Sequence, residues 1–288
     1  MTTDICKTFS QNVKLSDYTT VKIGGVADLV CYPDWEEFYP TIKWLKDTRT
    51  PFAVLGRGSN TLVSDEGYRG VVVLTRKLDG IEVDKDTISC QCGASLINLS
   101  RIAKEHSLTG LEWAVGIPGS VGGAIVTNAG AWGSQIGDIV QKVEVFGEKP
   151  LLLDRESLDF SYRNSKVLNY GVVGRVILKL KKAEQKDIVR REEICIKRRN
   201  DTQPKGYSLG SIFKAYNGIG AGYYVDRAGL KGFRVGGAEV NRVHAGFITN
   251  VGNATASDYR TVIDIVTLKV EEKFGITLEK EIKYLGDI

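Results

Sequence analysis

The chain is short of the residues that build metal or disulfide frameworks. Cys6, Cys31, Cys90, Cys92 and Cys195 are an odd number and form no C-x-x-C pair, which argues against a zinc site and against a stapled secreted scaffold. An excess of one charge is also missing. The 39 basic and 35 acidic residues leave +4, too little to imply a nucleic-acid partner, and the basic runs at Lys179–Lys182 and Lys197–Arg199 read as solvated faces. No apolar run approaches the roughly 20 residues that span a bilayer. The opening MTTDICKTFSQNVKL has no basic segment followed by an apolar one, so a cytoplasmic protein with reduced thiols and no membrane partner is expected. What is present is a globular composition, 42% hydrophobic and 26% charged over 288 residues, enough for one large or two ordinary domains.

Strand-like and helix-like segments mix without a clean alternation. ADLVCYP, FAVLG, GVVVLT, IEVDKDTISCQCG, QKVEVFG and VVGRVILKLKKA are apolar, partly β-branched runs that predict strands. DWEEFYPTIKWLKDT and SLINLSRIAKEHSL carry apolar residues at helical spacing. KDIVRREEICIKRRNDTQP predicts a helix that stops before Pro204 and bridges into a second domain. There, a long helix over TASDYRTVIDIVTLKVEEKFG and a last strand in EKEIKYLG are expected. The boundary is placed at residue 190, giving regions 1–190 and 191–288.

Glycine is abundant, and two glycine-rich segments stand out. AVLGRGSNTLVSD places Gly56, Gly58, Ser59 and Asn60 directly after a strand, and the uncharged stretch AVGIPGSVGGAIVTNAGAWG supplies Gly116, Gly119, Gly122 and Gly123. Ordering such a backbone is costly, because glycine loses more conformational freedom than any other residue. Successive N–H groups with no side chains in the way form concavities that suit a pyrophosphate. Simple tight turns are the competing explanation for either segment alone. Neither reads G-x-G-x-x-G, and TLVSD after GRGSN favours a strand where a Rossmann site needs a helix. A dinucleotide held by two loops is the alternative arrangement.

Seven motifs in order carry a resemblance: YTTVKIGG, LGRGSNTLVSD, GLEWAVGIPGSVGGAIVTNAGAWG, SYRNSK, GSIFK, AGLKG and LEKEIKYLG. Together they resemble the UDP-N-acetylenolpyruvoylglucosamine reductase family over nearly the whole chain. The resemblance implies an α+β fold with a two-part FAD-binding region of the vanillyl-alcohol-oxidase (PCMH) type and a C-terminal α+β substrate domain. It also implies NADPH-dependent, FAD-mediated reduction of the enolpyruvyl ether of UDP-N-acetylglucosamine to UDP-N-acetylmuramate for the bacterial cell wall, by a monomer that needs no metal. The cofactor contacts it implies are Tyr18, Gly56, Arg57, Gly58, Ser59, Asn60, Gly116, Pro118, Gly119, Ser120, Gly122, Gly123, Asn128 and Ala129. Neither glycine loop contains a histidine and the cysteines lie outside both, so noncovalent FAD is expected.

The implied chemistry assigns three catalytic residues. Hydride arriving at C3 of the enolpyruvyl group leaves an enolate that needs a cation or acid beside it, and C2 then needs a proton from a positioned donor. By the family match, Ser211 is the donor, and Arg163 and Glu281 stabilise the enol. No G-x-S-x-G surrounds Ser211, so it is not expected to act as an acylated nucleophile. Tyr162, Lys214, Asn217, Lys231 and His244 are expected to bind substrate, with Tyr223 and Tyr224 as candidates at its diphosphate. Taken alone, a serine after glycine is a turn residue, and a lone arginine, lysine or glutamate a solvated one. The family usually continues GSxFK with Asn-Pro, whereas this chain has Ala215 and Tyr216, then Asn217 and Gly218, which shifts the expected amide to Asn217. Its length matches the shorter subgroup without an inserted tyrosine loop. A flavin oxidase acting on another alcohol or sugar, and an idle nucleotide-sugar binding protein, are the two other functions compatible with these motifs. NADPH-dependent consumption of the enolpyruvyl substrate separates all three.

Overall fold

Residues 5–287 are described in a computed structural model of the chain. They divide into two units, both discontinuous in sequence. The first comprises the chain up to Ser10, Leu29–Arg57 and Gly70–Arg199; the second comprises Gln11–Asp28, Gly58–Arg69 and the chain from Asn200.

The first unit is built on a five-stranded sheet in the spatial order Pro150–Asp154, Val140–Phe146, Val172–Lys179, Thr87–Gln91, Ile81–Asp84, with every neighbouring pair antiparallel. The expected single strand over residues 81–93 is a hairpin, because Lys85 takes a left-handed φ of 56° at the turn. Two of the foreseen helices form as Trp35–Asp47 and Leu96–Glu105. Asp34 and Glu37 form a reciprocal capping box at the start of the first. Phe52–Leu55 runs parallel to Val71–Leu74. Leu99, Ile125, Val143 and Val176 are fully buried in one continuous core. The helix Gln185–Thr202 ends short of Pro204 as expected. Its Glu192, 5% exposed, accepts from Ser100 Oγ at 3.2 Å and Lys104 Nζ at 2.6 Å, so this buried carboxylate is paired and fastens the helix to the unit.

In the second unit the strands Tyr207–Ser211, Phe247–Asn250, Ala238–Val240 and Arg234–Val235 form an antiparallel sheet in that order. The helix Ala256–Phe274 shares its core. Tyr259 of this helix is fully buried, with its hydroxyl donating to the Ile248 carbonyl at 2.8 Å. Thr255 and Asp258 make a capping box, and the Asp65 carboxylate accepts from the N–H groups of Ala256 and Ser257 at 2.7 and 3.0 Å.

The single boundary expected at residue 190 therefore differs from the observed division, which returns residues 11–28 and 58–69 to the C-terminal unit. Two interactions account for this. Val21, Ile23 and Leu62 insert into the second core, and Thr61–Val63 pairs in parallel with Lys283–Leu285. Among the described residues, no helix is long and apolar enough to cross a membrane.

Candidate active site

After the strand Phe52–Leu55 the chain turns through Gly56–Asn60 and enters the strand Thr61–Val63, so no helix follows the turn. Among the described residues, the N–H groups of Arg57, Gly58 and Ser59 donate no hydrogen bond within the protein. Gly58 has φ of +60°, and a Cβ there would fall on the carbonyl oxygen of Tyr18, so only glycine suits this position. The Nε of Arg57 is buried without a hydrogen-bond partner. Successive N–H groups without protein partners are the feature that suits an anion, and those of Arg57, Gly58 and Ser59 are compatible in type with the pyrophosphate of the expected FAD. A Cβ on Gly56 would fill space occupied by Ser120 Oγ, so Ser120 of the second glycine segment lies directly against Gly56 within the first unit.

That second segment is not a floppy loop. Val121–Thr127 is helical, with Ser120 as its N-cap accepting from Gly123 N–H at 3.3 Å. Gly119 and Ser120 keep open N–H groups, since neither donates a bond within the protein. Gly122 does not. Its N–H donates to the Cys92 carbonyl at 2.7 Å, and an added Cβ would lie 2.9 Å from Cys92 Cβ, so Gly122 is a packing glycine with no access for a phosphate. Gly123 faces outward, where an added Cβ would meet only Ser120 Oγ at 3.4 Å.

Two more expected cofactor residues are committed to the protein itself. Asn128 is fully buried. Its amide donates to Gln135 Oε1 at 3.0 Å and the Ser161 carbonyl at 2.8 Å, and accepts from Gly137 N–H at 3.0 Å. Ala129 donates to the Ala124 carbonyl and accepts from Ile136 N–H. The Asn128 side-chain amide and the Ala129 backbone N–H thus make their hydrogen bonds within the protein.

Arg199 was missed as a site-shaping residue because its charge run, Lys197–Arg199, reads as solvated. Its Nε donates to the Val115 carbonyl at 3.1 Å, its side chain lies against Gly116, and its guanidinium sits 4.9 Å from the Trp132 ring centroid. Both ends of the glycine segment are thus held by one side chain, and burial pushes the guanidinium pKa down. Its position at the C-terminal end of a helix that stops before a proline was the available signal.

Arg163 occupies a tight turn with φ of 55°, and its Nη2 donates to the Gly130 carbonyl at 3.0 Å. The exposed Tyr162 ring lies 5.3 Å from the guanidinium carbon. A cleft on the sheet of the same unit, lined by Trp35, Glu144, Leu152, Arg175 and Ile177, contains none of the expected site residues.

The second unit draws three distant motifs together. Ser211 is exposed at a bulge in the pairing with Phe247–Asn250; bulges commonly re-aim a side chain next to active sites. Immediately beyond it, Glu281 N–H donates to the Ile212 carbonyl at 2.8 Å and Lys214 N–H to the Glu279 carbonyl at 2.8 Å. Asn60 joins them, with its Nδ2 donating to the Glu281 carbonyl at 3.2 Å.

Phe247, the ladder partner of Ser211, packs edge-on against the His244 ring at 4.9 Å. His244 Nδ1 accepts from Gly246 N–H at 3.1 Å, which leaves the proton of the neutral ring on Nε2 as a donor. Burial, aided by the charge of Lys231, holds the His244 pKa below the usual histidine value. Lys231 is ion-paired with Asp226 at 2.7 Å and Lys214 with Glu279 at 2.5 Å. Asn217 and Gly218 both have positive φ, between reciprocal bonds joining Tyr216 and Ile219. This Asn-Gly pair is a type I′ hairpin turn, which explains Asn217 by turn chemistry alone.

A family profile described as "FAD binding domain" matches residues 27–149, and one described as "UDP-N-acetylenolpyruvoylglucosamine reductase, C-terminal domain" matches residues 203–285. The chain is 42% identical over 286 residues to the UDP-N-acetylenolpyruvoylglucosamine reductase of Caldicellulosiruptor bescii, covering 97% of this chain and 91% of that one. It is 41% identical over 278 residues to that of Pediococcus pentosaceus, covering 95% and 93%. Among solved structures, UDP-N-acetylenolpyruvylglucosamine reductase from Thermus caldophilus is similar with a TM-score of 0.83 at 36% identity, over 95% of this chain and 98% of that one. With agreement of this extent in both sequence and structure, the chain belongs to the UDP-N-acetylenolpyruvoylglucosamine reductase family.

Proposed function

We propose that this protein reduces the enolpyruvyl ether of UDP-N-acetylglucosamine to UDP-N-acetylmuramate, a precursor of the bacterial cell wall, with noncovalent FAD and with NADPH as co-substrate. Bound FAD would supply the hydride-transfer chemistry that links NADPH to C3 of the enolpyruvyl group. The chain supplies the rest. Arg57, Gly58, Ser59, Gly119 and Ser120 hold the FAD pyrophosphate through their open N–H groups. Arg163 presents a planar fork of donors to the substrate carboxylate, and with Glu281 it stabilises the enol formed as charge spreads away from C2. The Ser211 hydroxyl then gives its proton to C2. An unshifted hydroxyl is a weak acid, but a carbanion-like carbon is a strong base, so the transfer runs downhill. His244 Nε2–H and Lys231 bind the UDP portion. All five cysteines are free thiols, which supports a reducing, cytoplasmic setting, and the protein acts there as a monomer.

The observation that carries this reading is the pairing of Glu281 with Ile212, which sets two family motifs side by side next to Ser211. The test is Ser211→Ala in stopped-flow absorbance under anaerobic conditions. Flavin bleaching by NADPH should proceed near the parent rate, and reoxidation by the enolpyruvyl substrate should slow by about 10² to 10⁴. Reoxidation at the parent rate would remove Ser211 as the proton donor, and failure already at bleaching would move its role to cofactor placement.

A further inference from the structure

We propose that Asn128 is a positioning residue for Arg163, an inference that rests on the role given to Arg163 above. Asn128 ends the helix Val121–Thr127 in the left-handed region, with φ of 43°. Glycine is the usual residue there and asparagine the common substitute, so the backbone alone does not require an amide. The amide instead joins three segments. One hydrogen goes to the Ser161 carbonyl at 2.8 Å and the other to Gln135 Oε1 at 3.0 Å, while the oxygen accepts from Gly137 N–H at 3.0 Å. Ser161 opens the turn that carries Arg163, closed by the Ser161 N–H to Asn164 carbonyl bond at 3.0 Å and its reverse at 3.2 Å. Gln135 pairs with Gly130, the residue whose carbonyl receives Arg163 Nη2 at 3.0 Å.

One buried side chain therefore sets both the backbone turn that bears Arg163 and the carbonyl that aims its guanidinium. Arg163 itself sits at a positive φ of 55°, a conformation that a non-glycine residue keeps only where its surroundings enforce it. Without the amide, the turn and the Gly130–Gln135 hairpin lose their common tether. The guanidinium and the carbonyl that aims it are then no longer held in register when the enol forms.

Asn128→Gly keeps the left-handed backbone and removes only the amide. Its FAD content and its reduction by NADPH should match the parent, and reoxidation by the enolpyruvyl substrate should slow by about 10²-fold, the scale expected for a misplaced catalytic group. In an Arg163→Ala background the same change should add almost nothing, since both act through one guanidinium. Asn128→Asp provides a second measurement should the glycine variant fold poorly. Its carboxyl regains a donor only when protonated, so its reoxidation rate relative to the parent should rise as pH falls.

Arg163→Ala at parent speed would overturn the role of Arg163, and this inference with it. If Arg163→Ala is slow, the positioning role alone is overturned by Asn128→Gly reoxidising at parent speed, by effects that multiply in the double variant, by loss of FAD as the first defect, or by a flat relative pH profile for Asn128→Asp.

Discussion

The turn Gly56–Asn60 and the segment Ala114–Gly133 have similar glycine-rich sequences and opposite constructions. In the turn, three successive N–H groups and the Nε of Arg57 are left without partners inside the protein. In the longer segment most of the backbone is committed: a helix occupies its centre, Gly122 is packed on Cys92, Asn128 is saturated, and Arg199 holds both ends. A glycine thus signals a ligand only where its N–H or that of its neighbour remains open. Where a neighbouring backbone presses on it, it signals packing.

The sharpest way to break this comparison is Gly122→Val. The sequence alone suggests a variant that folds and loses flavin, whereas the 2.9 Å approach to Cys92 Cβ makes overpacking the dominant effect. A loss of about 3 kcal/mol is expected, lowering Tm by roughly 2–4 °C per kcal/mol whether or not FAD is added. Gly123→Ala is the paired control and should leave Tm almost unchanged, because its Cβ meets only an ordinary contact. Equal, small Tm shifts for both variants, read by differential scanning calorimetry, would abolish the distinction between the two glycines.

Arg57→Met tests the open turn. A hydrogen bond to a charged group contributes about 1.5–3 kcal/mol, so FAD affinity should weaken by about 10- to 100-fold. The apoprotein Tm should hold, since the Nε lacks a protein partner to lose. Fluorescence titration of FAD into apoprotein measures the first quantity; an unchanged Kd would show that the orphaned Nε does not face the cofactor.

Arg199→Gln gives the smallest effect of the three. It removes a cation–π contact worth about 0.5–1 kcal/mol and a hydrogen bond worth about 1 kcal/mol. A modest fall in Tm and a shift in the emission of Trp132 are expected. An unaltered Trp132 signal, identified by comparison with Trp132→Phe, would mean that the stack does not restrain the segment.

Much of this was legible along the chain. Strands with alternating or β-branched runs, such as Val140–Phe146 and Val172–Lys179, formed where the pattern put them, because burial of one face is a local property. The helix inside Ala114–Gly133 was not legible: glycine opposes helix intrinsically, and only the Ser120 cap and the contact with Cys92 make it worthwhile. Arg199 was hidden for a related reason, since a charge run gives no sign of which member will find an aromatic ring.

The amino-acid sequence by itself determined the family, because seven ordered motifs survive as strings whatever surrounds them, and it determined the residue types available for the chemistry. Only the tertiary structure decided which glycines stay open, that Asn217 belongs to a hairpin turn, that residues 11–28 and 58–69 join the C-terminal unit, and that Asn60, Ser211 and Glu281 come together. These outcomes depend on contacts such as that between Asn60 and Glu281, 221 positions apart, where hydrogen-bond satisfaction and close packing settle what each local string leaves open.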